Sequence, residues 1–138
     1  MSKRRGFLEK TYNSRYKELK DVCCMYCGDK YEVLDHVPPI SFLDSYGENV
    51  LITEYNAPFV KVPCCRECNE FLGALPLFSI KERKDFIHKT LTTTYKKILE
   101  SPDWDLDEIE ELSGRLKESI LNQQQFKTFL KKRLIYSS

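Results

Sequence analysis

Two Cys-x-x-C pairs constrain this chain more than any other feature. Cys24 and Cys27 form one, within Cys23-Cys24-Met25-Tyr26-Cys27-Gly28, and Cys65 and Cys68 form the other, within Cys64-Cys65-Arg66-Glu67-Cys68-Asn69. The segment that contains both, residues 22–75, is too small to bury much core unaided. Domains of that size commonly need a metal or disulfides to offset chain entropy. Four thiolates make a closed tetrahedral site with no exchangeable position, so the pairs point to a structural zinc. Closing a loop of roughly forty residues with a metal removes much of the unfolded chain's freedom. Cys23 and Cys64 lack the two-residue spacing and read as small buried residues. The alternative, six buried free thiols or disulfides, fits the duplicated Cys-Cys-x-x-Cys pattern poorly.

The chain starts Met1-Ser2-Lys3-Arg4-Arg5-Gly6, with no apolar run behind the basic residues. This reads as no signal peptide and no membrane-spanning stretch, and therefore as a cytoplasmic, reducing setting in which Cys-x-x-C means metal. At 138 residues and a net charge of +1, the molecule is not a polycation. Its charge is segregated: residues 1–20 carry seven Lys/Arg against two Glu, while residues 103–111 carry six Asp/Glu and no base. A basic patch can hold a phosphate backbone even when the whole chain is nearly neutral. The charges of the C-terminal half read as solvated helix faces.

The expected fold class is α+β. Residues 8–21 read as a short polar helix, and Gly28 suits a tight knuckle turn because glycine tolerates positive φ. Tyr31 to Val37 reads as a strand delivering Asp35-His36, stopped by Pro38-Pro39. Residues 40–56 read as a long connection. Phe59 to Val62 reads as a second strand ended by Pro63, and Cys65 to Leu72 as a short helix carrying Asn69. Residues 79–100 read as a helix with an apolar stripe (Ile80, Ile87, Leu91, Tyr95, Ile98), Ser101-Pro102-Asp103 as a break, and a second long helix follows with its own stripe (Ile109, Leu112, Leu116, Ile120, Phe126, Leu130, Leu134). The division expected is a core at 1–78 and a helical extension at 79–138 that packs on the core, or forms a dimer or partner interface. His88 reads as a surface or packing residue, and Trp104 as a packing anchor rather than a base-stacking platform.

The run Cys-Met-Tyr-Cys-Gly, then Leu34-Asp35-His36-Val37-Pro38-Pro39, then Val62-Pro63-Cys64-Cys65-Arg66-Glu67-Cys68-Asn69, resembles the zinc-containing HNH (His-Me finger, ββα-metal) endonucleases. It is similar to the branch that includes phage-type junction-resolving endonucleases. The resemblance covers residues 22–75. It implies hydrolysis of DNA phosphodiester bonds, with His36 as general base and Asp35 and Asn69 as oxygen ligands of Mg²⁺ or Mn²⁺. Two departures stand out. The family's middle Asn aligns with Val60, with Asn56 four residues earlier as a candidate substitute, and no basic residue follows Asn69. DNA grip then falls to Lys3, Arg4, Arg5, Arg15, Lys61 and Arg66; RNA is the other nucleic acid such a patch would hold.

The chemistry of these side chains agrees with those roles. Imidazole titrates near neutrality and can take a proton from water at working pH. A hard cation with one or two protein oxygens keeps sites for water and phosphate, and it neutralises charge on the transition state. The competing expectation is a catalytically silent, zinc-stapled module that binds nucleic acid or protein. A third expectation is the nuclease subunit of a larger complex.

Overall fold

The computed structural model describes residues 3–14 and 22–136. Helix α1 (Lys3–Glu9) leads through a turn into β1 (Asn13–Ser14). Of the helix expected over 8–21, residues 15–21 lie outside the described residues. Within them, the helix is the earlier one, and Tyr12-Asn13 has already turned into extended chain. Tyr12 is buried, and its hydroxyl donates to the Pro38 carbonyl. That anchor explains why this polar segment ends its helix early.

Strand β2 (Val33–Val37) pairs antiparallel with β3 (Val60–Cys64), and β1 lies parallel to β3 on its other side. The register sets Asp35 opposite Val62 and His36 opposite Lys61. Side chains alternate along a strand, so Asp35 and Val37 are buried while His36 is half-buried. Pro63 does not end β3 as expected; it pairs with Leu34 within the strand. Among the described residues, β1 pairs with β3 at Val60 and Lys61.

The connection at 40–56 is not irregular. It forms α2 (Ile40–Tyr46) and α3 (Glu48–Tyr55), hinged at Gly47 with φ of 83°. Leu43 and Leu51 are buried with Tyr12, Ala57, Phe59 and Phe78 in a small second core. Asn56 ends α3 in the left-handed conformation, φ 50° and ψ 42°, and its N–H bonds the Ile52 carbonyl. Asn tolerates that backbone better than most residues, which gives Asn56 a capping role.

Helix α4 (Arg66–Leu72) follows β3 at once. Helix α5 (Ile80–Thr94) stops at the Thr run, and α6 (Lys96–Leu99) follows. The second long helix is two: α7 (Leu106–Glu110), with a capping box from Asp105 and Glu108, and α8 (Gly114–Ile135). Ser113-Gly114 breaks the pattern, with Ser113 extended before α8 and Gly114 at φ 60°.

One core runs through both halves of the chain. The four paired cysteines, Met25, Tyr26, Val37, Val62 and Leu72 cluster with Ile87 and Leu91 of α5, and Leu134 of α8 packs against them. Helix α4 packs on α5, and α5 on α8. The knuckles therefore share their apolar interior with residues beyond 78. Leu91→Ala should destabilise the protein by about 2–5 kcal/mol, because a fully buried leucine leaves a cavity. Urea unfolding with zinc bound measures this; a change below about 1 kcal/mol would mean that α5 is peripheral.

Candidate metal centre and adjoining cleft

The sulfurs of Cys24, Cys27, Cys65 and Cys68 all lie within 4.8 Å of one another and are buried. The first pair sits in a tight turn closed by Gly28 N–H to the Cys24 carbonyl at 3.0 Å. Gly28 has φ 77°, and a Cβ there would come within 2.5 Å of the Tyr136 ring, so glycine is required twice over. The second pair opens α4: Cys65 is the N-cap, and its sulfur accepts from Cys68 N–H at 3.4 Å. The Cys27 and Cys65 sulfurs are 3.7 Å apart. Tetrahedral zinc with bonds of about 2.3 Å sets sulfurs roughly 3.8 Å apart. The donor set fits a structural Zn²⁺.

Electrostatics point the same way. Crowding lets one thiolate form at the expense of its neighbours: hydrogen bonds from the other sulfurs hold Cys27 far below the usual thiol range, and Cys24 is pushed up to about 12. A divalent cation stabilises all four thiolates together. Zinc held by four thiolates would carry excess negative charge, and Arg133 of α8 lies against two of the sulfurs. Its Nη2 is 3.6 Å from the Cys68 sulfur and 3.8 Å from that of Cys65, while Nη1 donates to Glu67. Glu67 also accepts from Tyr95. Cys64 is buried without belonging to the cluster, and Cys23 is half-buried with its sulfur 3.1 Å from the Tyr136 hydroxyl.

An open cleft of about 330 Å³ is lined by Asp35, His36, Asn69, Arg5, Ser41 and Arg83 among others. The three residues singled out from sequence thus share one concavity. β2 delivers Asp35 and His36, and the first turns of α4 deliver Asn69 directly after its last cysteine. The His36 ring meets the Tyr12 ring edge-on, with centroids 4.9 Å apart. Its Nε2 is buried, 3.2 Å from Glu9 Oε1 but out of hydrogen-bond alignment. Burial lowers the His36 pKa below its ordinary 6.5; Glu9 opposes this, and Arg5 and Lys61 add to it. The imidazole is therefore neutral at pH 7.

Asp35 is no free carboxylate. Arg83 Nη2 donates to Oδ1 at 2.6 Å, Arg83 Nε donates to Oδ2 at 2.8 Å, and the Tyr26 hydroxyl donates to Oδ2 at 2.5 Å. Arg83 is 1% exposed, and its remaining amino group donates to the Leu77 carbonyl at 2.9 Å. Each carboxylate oxygen has two lone pairs. Oδ2 is saturated, and Oδ1 keeps one lone pair for another partner. A ligating Asp35 would bind a cation through that position, with Asn69 contributing its carboxamide oxygen.

Sequence reasoning missed Arg83, Tyr26, Glu9 and Arg133. A signal existed for Arg83: it is spaced four residues before Ile87 and eight before Leu91, so it interrupts a buried apolar stripe with a charge. Of the basic residues proposed for DNA grip, Arg5 lines the cleft and Lys61 faces His36 across the sheet register. Arg66 is exposed and lies 3.5 Å from Glu32. The side chains of Lys3 and Arg4, and all of Arg15, lie outside the described residues. Asn56 and Val60 do not line the cleft. His88 lies 3.1 Å from the Tyr26 carbonyl, a packing contact between α5 and the first knuckle. Among the described residues no helix is long and apolar enough to cross a membrane.

Comparison with family models, curated proteins and solved structures finds no match for this chain.

Removing one member of the buried pair strands the other. Asp35→Ala should cost about 3–5 kcal/mol in folding stability, and Tyr26→Phe about 1 kcal/mol. Chemical denaturation at neutral pH ranks the two; equal costs would show that Arg83 is solvated without its partner.

Proposed function

We propose that this chain is a divalent-cation-dependent endonuclease of the HNH type, hydrolysing phosphodiester bonds in DNA, with a four-cysteine zinc as scaffold. One observation carries the reading: Asp35, His36 and Asn69 line the same cleft, on a strand and a helix whose adjoining cysteines form one cluster. The element order also agrees, since an antiparallel strand pair is followed directly by the helix that bears Asn69.

His36 is the general base. Neutral at pH 7, it takes the proton from the attacking water, and Tyr12 and Glu9 limit how its ring can turn. Asp35 Oδ1 and Asn69 would hold Mg²⁺ or Mn²⁺, hard cations suited to oxygen donors. When bound, the cation neutralises charge on the phosphate and leaving oxygen. Arg5, which lines the cleft, and Lys61, opposite His36 in the register, are the cations that would attract the DNA backbone. Zinc is closed off by four sulfurs and takes no part in chemistry.

One finding favours a second reading. The carboxylate of Asp35 is already engaged by Arg83 and Tyr26, as it would be in a silent zinc-stapled binding module. The assay that separates the two compares supercoiled, linear and branched DNA with and without Mg²⁺. The nuclease reading expects metal-dependent cleavage that His36→Ala lowers at least about a hundredfold, with zinc content and unfolding midpoint unchanged. DNA binding with no cleavage of any form selects the silent module.

The pH dependence follows from burial of His36. Protonation removes the base, and burial disfavours the protonated form. The acid limb of kcat/KM should therefore have its midpoint below the ordinary histidine value of 6.5. A midpoint above 6.5 would mean that another group is the base.

A further inference from the structure

We infer that Arg133 is the cationic partner of the metal centre: its guanidinium stabilises the charge of a zinc held by the four cysteines, so that zinc binding and docking of the C-terminal end of α8 strengthen each other. Arg133 has this role, which rests on the zinc reading of the cysteines, whether or not the adjoining cleft cuts DNA.

Arg133 is 3% exposed, near the end of α8. Its Nη2 is 3.6 Å from the Cys68 sulfur and 3.8 Å from that of Cys65, its Nη1 donates to Glu67, and its Cζ lies 5.5 Å from the centre of the Phe129 ring. The polar contacts fall on one stretch of chain, since Glu67 sits between the two cysteines. Nε is buried with no hydrogen-bond partner among the described residues. A buried guanidinium so incompletely bonded needs compensating charge. Glu67 supplies one carboxylate, but its side chain is 35% exposed and it also accepts from Tyr95. The sulfurs at Nη2 are the other acceptors that Arg133 touches.

A thiol sulfur is a weak acceptor. Metal binding takes the cysteines as thiolates, and a dication among four thiolates is a net dianion. Hydrogen bonds to charged acceptors are roughly twice as strong as neutral ones, so Nη2 gains two strong partners when metal is bound. Apolar packing does not close this seam: a cleft of about 190 Å³ at the first knuckle and α8 is lined by Cys27, Gly28, Phe129, Arg133 and Tyr136 among others. Leu130 is fully buried and Leu134 packs on the core, while Arg133 fastens the helix end to the sulfurs. By linkage, Arg133 tightens zinc by the same factor by which zinc tightens the docked helix end. Arg133 is thus a positioning residue that acts through the ligand sulfurs and does not touch the metal.

The test compares the full chain with its Arg133→Met and Arg133→Lys variants, by chelator competition for Zn²⁺ and by the sulfur-to-metal charge-transfer bands of the Co²⁺-loaded protein. Arg133→Met strands no fully buried carboxylate, since Glu67 is partly exposed and keeps Tyr95. It should weaken zinc binding about tenfold or more. It should also move the cobalt bands to lower energy, because a thiolate that loses N–H donors gives up its electrons more readily. Arg133→Lys keeps the charge and should fall between the other two on both readouts; if Arg133→Met does not fold, the lysine variant decides. Zinc affinity equal to that of the wild type overturns the inference. So does weaker zinc binding with unshifted cobalt bands, which would mean that Arg133 supports the helix without acting on the sulfurs. A wild type that takes up neither metal overturns the inference together with the zinc reading, and leaves the cleft to be judged by DNA cleavage.

Discussion

Four cysteine sulfurs gathered within 4.8 Å bring the first knuckle against the start of α4, at the end of the β2–β3 ladder. One pair closes the turn ahead of β2, and the other caps α4 where β3 ends. The sheet between them is small, and β1 adds a rung on the far side of β3. A metal at those sulfurs would lock this end of the strand pair and the helix tip into one rigid corner. Asn69, which lines the cleft, directly follows the last of these cysteines, while His36 is placed by the β2–β3 ladder. Arg133 ties α8 to the same corner by placing a guanidinium against two of them.

A second polar lock lies beside the first. Asp35, Arg83 and Tyr26 come from a strand, a helix and a cysteine knuckle, and they meet in the interior. Buried ion pairs often contribute little net stability, because desolvation offsets attraction. What this one does achieve is geometric: it fixes the carboxylate at the edge of the cleft and fastens α5 to the sheet. The C-terminal half thus reaches the candidate site with a charge, in addition to packing Ile87 and Leu91 into the core.

The four clustered cysteines and the three cleft residues were legible in the sequence because their signals are local. Spacing names the cysteines, and Asn69 directly follows the last of them. The β2, β3 and α4 segments were legible for the same reason. Arg83 and Tyr26 were not, because their importance depends on a contact spanning 48 residues in one case and on a knuckle turn facing Asp35 in the other. The helices at 40–55 escaped notice because their apolar stripe is sparse: Leu43 and Leu51 are the buried anchors of two short helices split by Gly47. The break at Ser113-Gly114 was hidden by an apolar stripe that continues across it, although Ser before Gly is an ordinary helix-start signal.

The central claim is that a closed four-sulfur zinc and a separate oxygen-lined cation site stand side by side. Anomalous diffraction from a crystal soaked in Mn²⁺ with a DNA duplex, recorded at the zinc and manganese edges, tests it most directly. The account expects a zinc peak among Cys24, Cys27, Cys65 and Cys68, and a manganese peak in the cleft touching Asp35 and Asn69, with His36 facing the metal-bound phosphate. Zinc ligated by His36, or a cleft without manganese while DNA is bound, would contradict it.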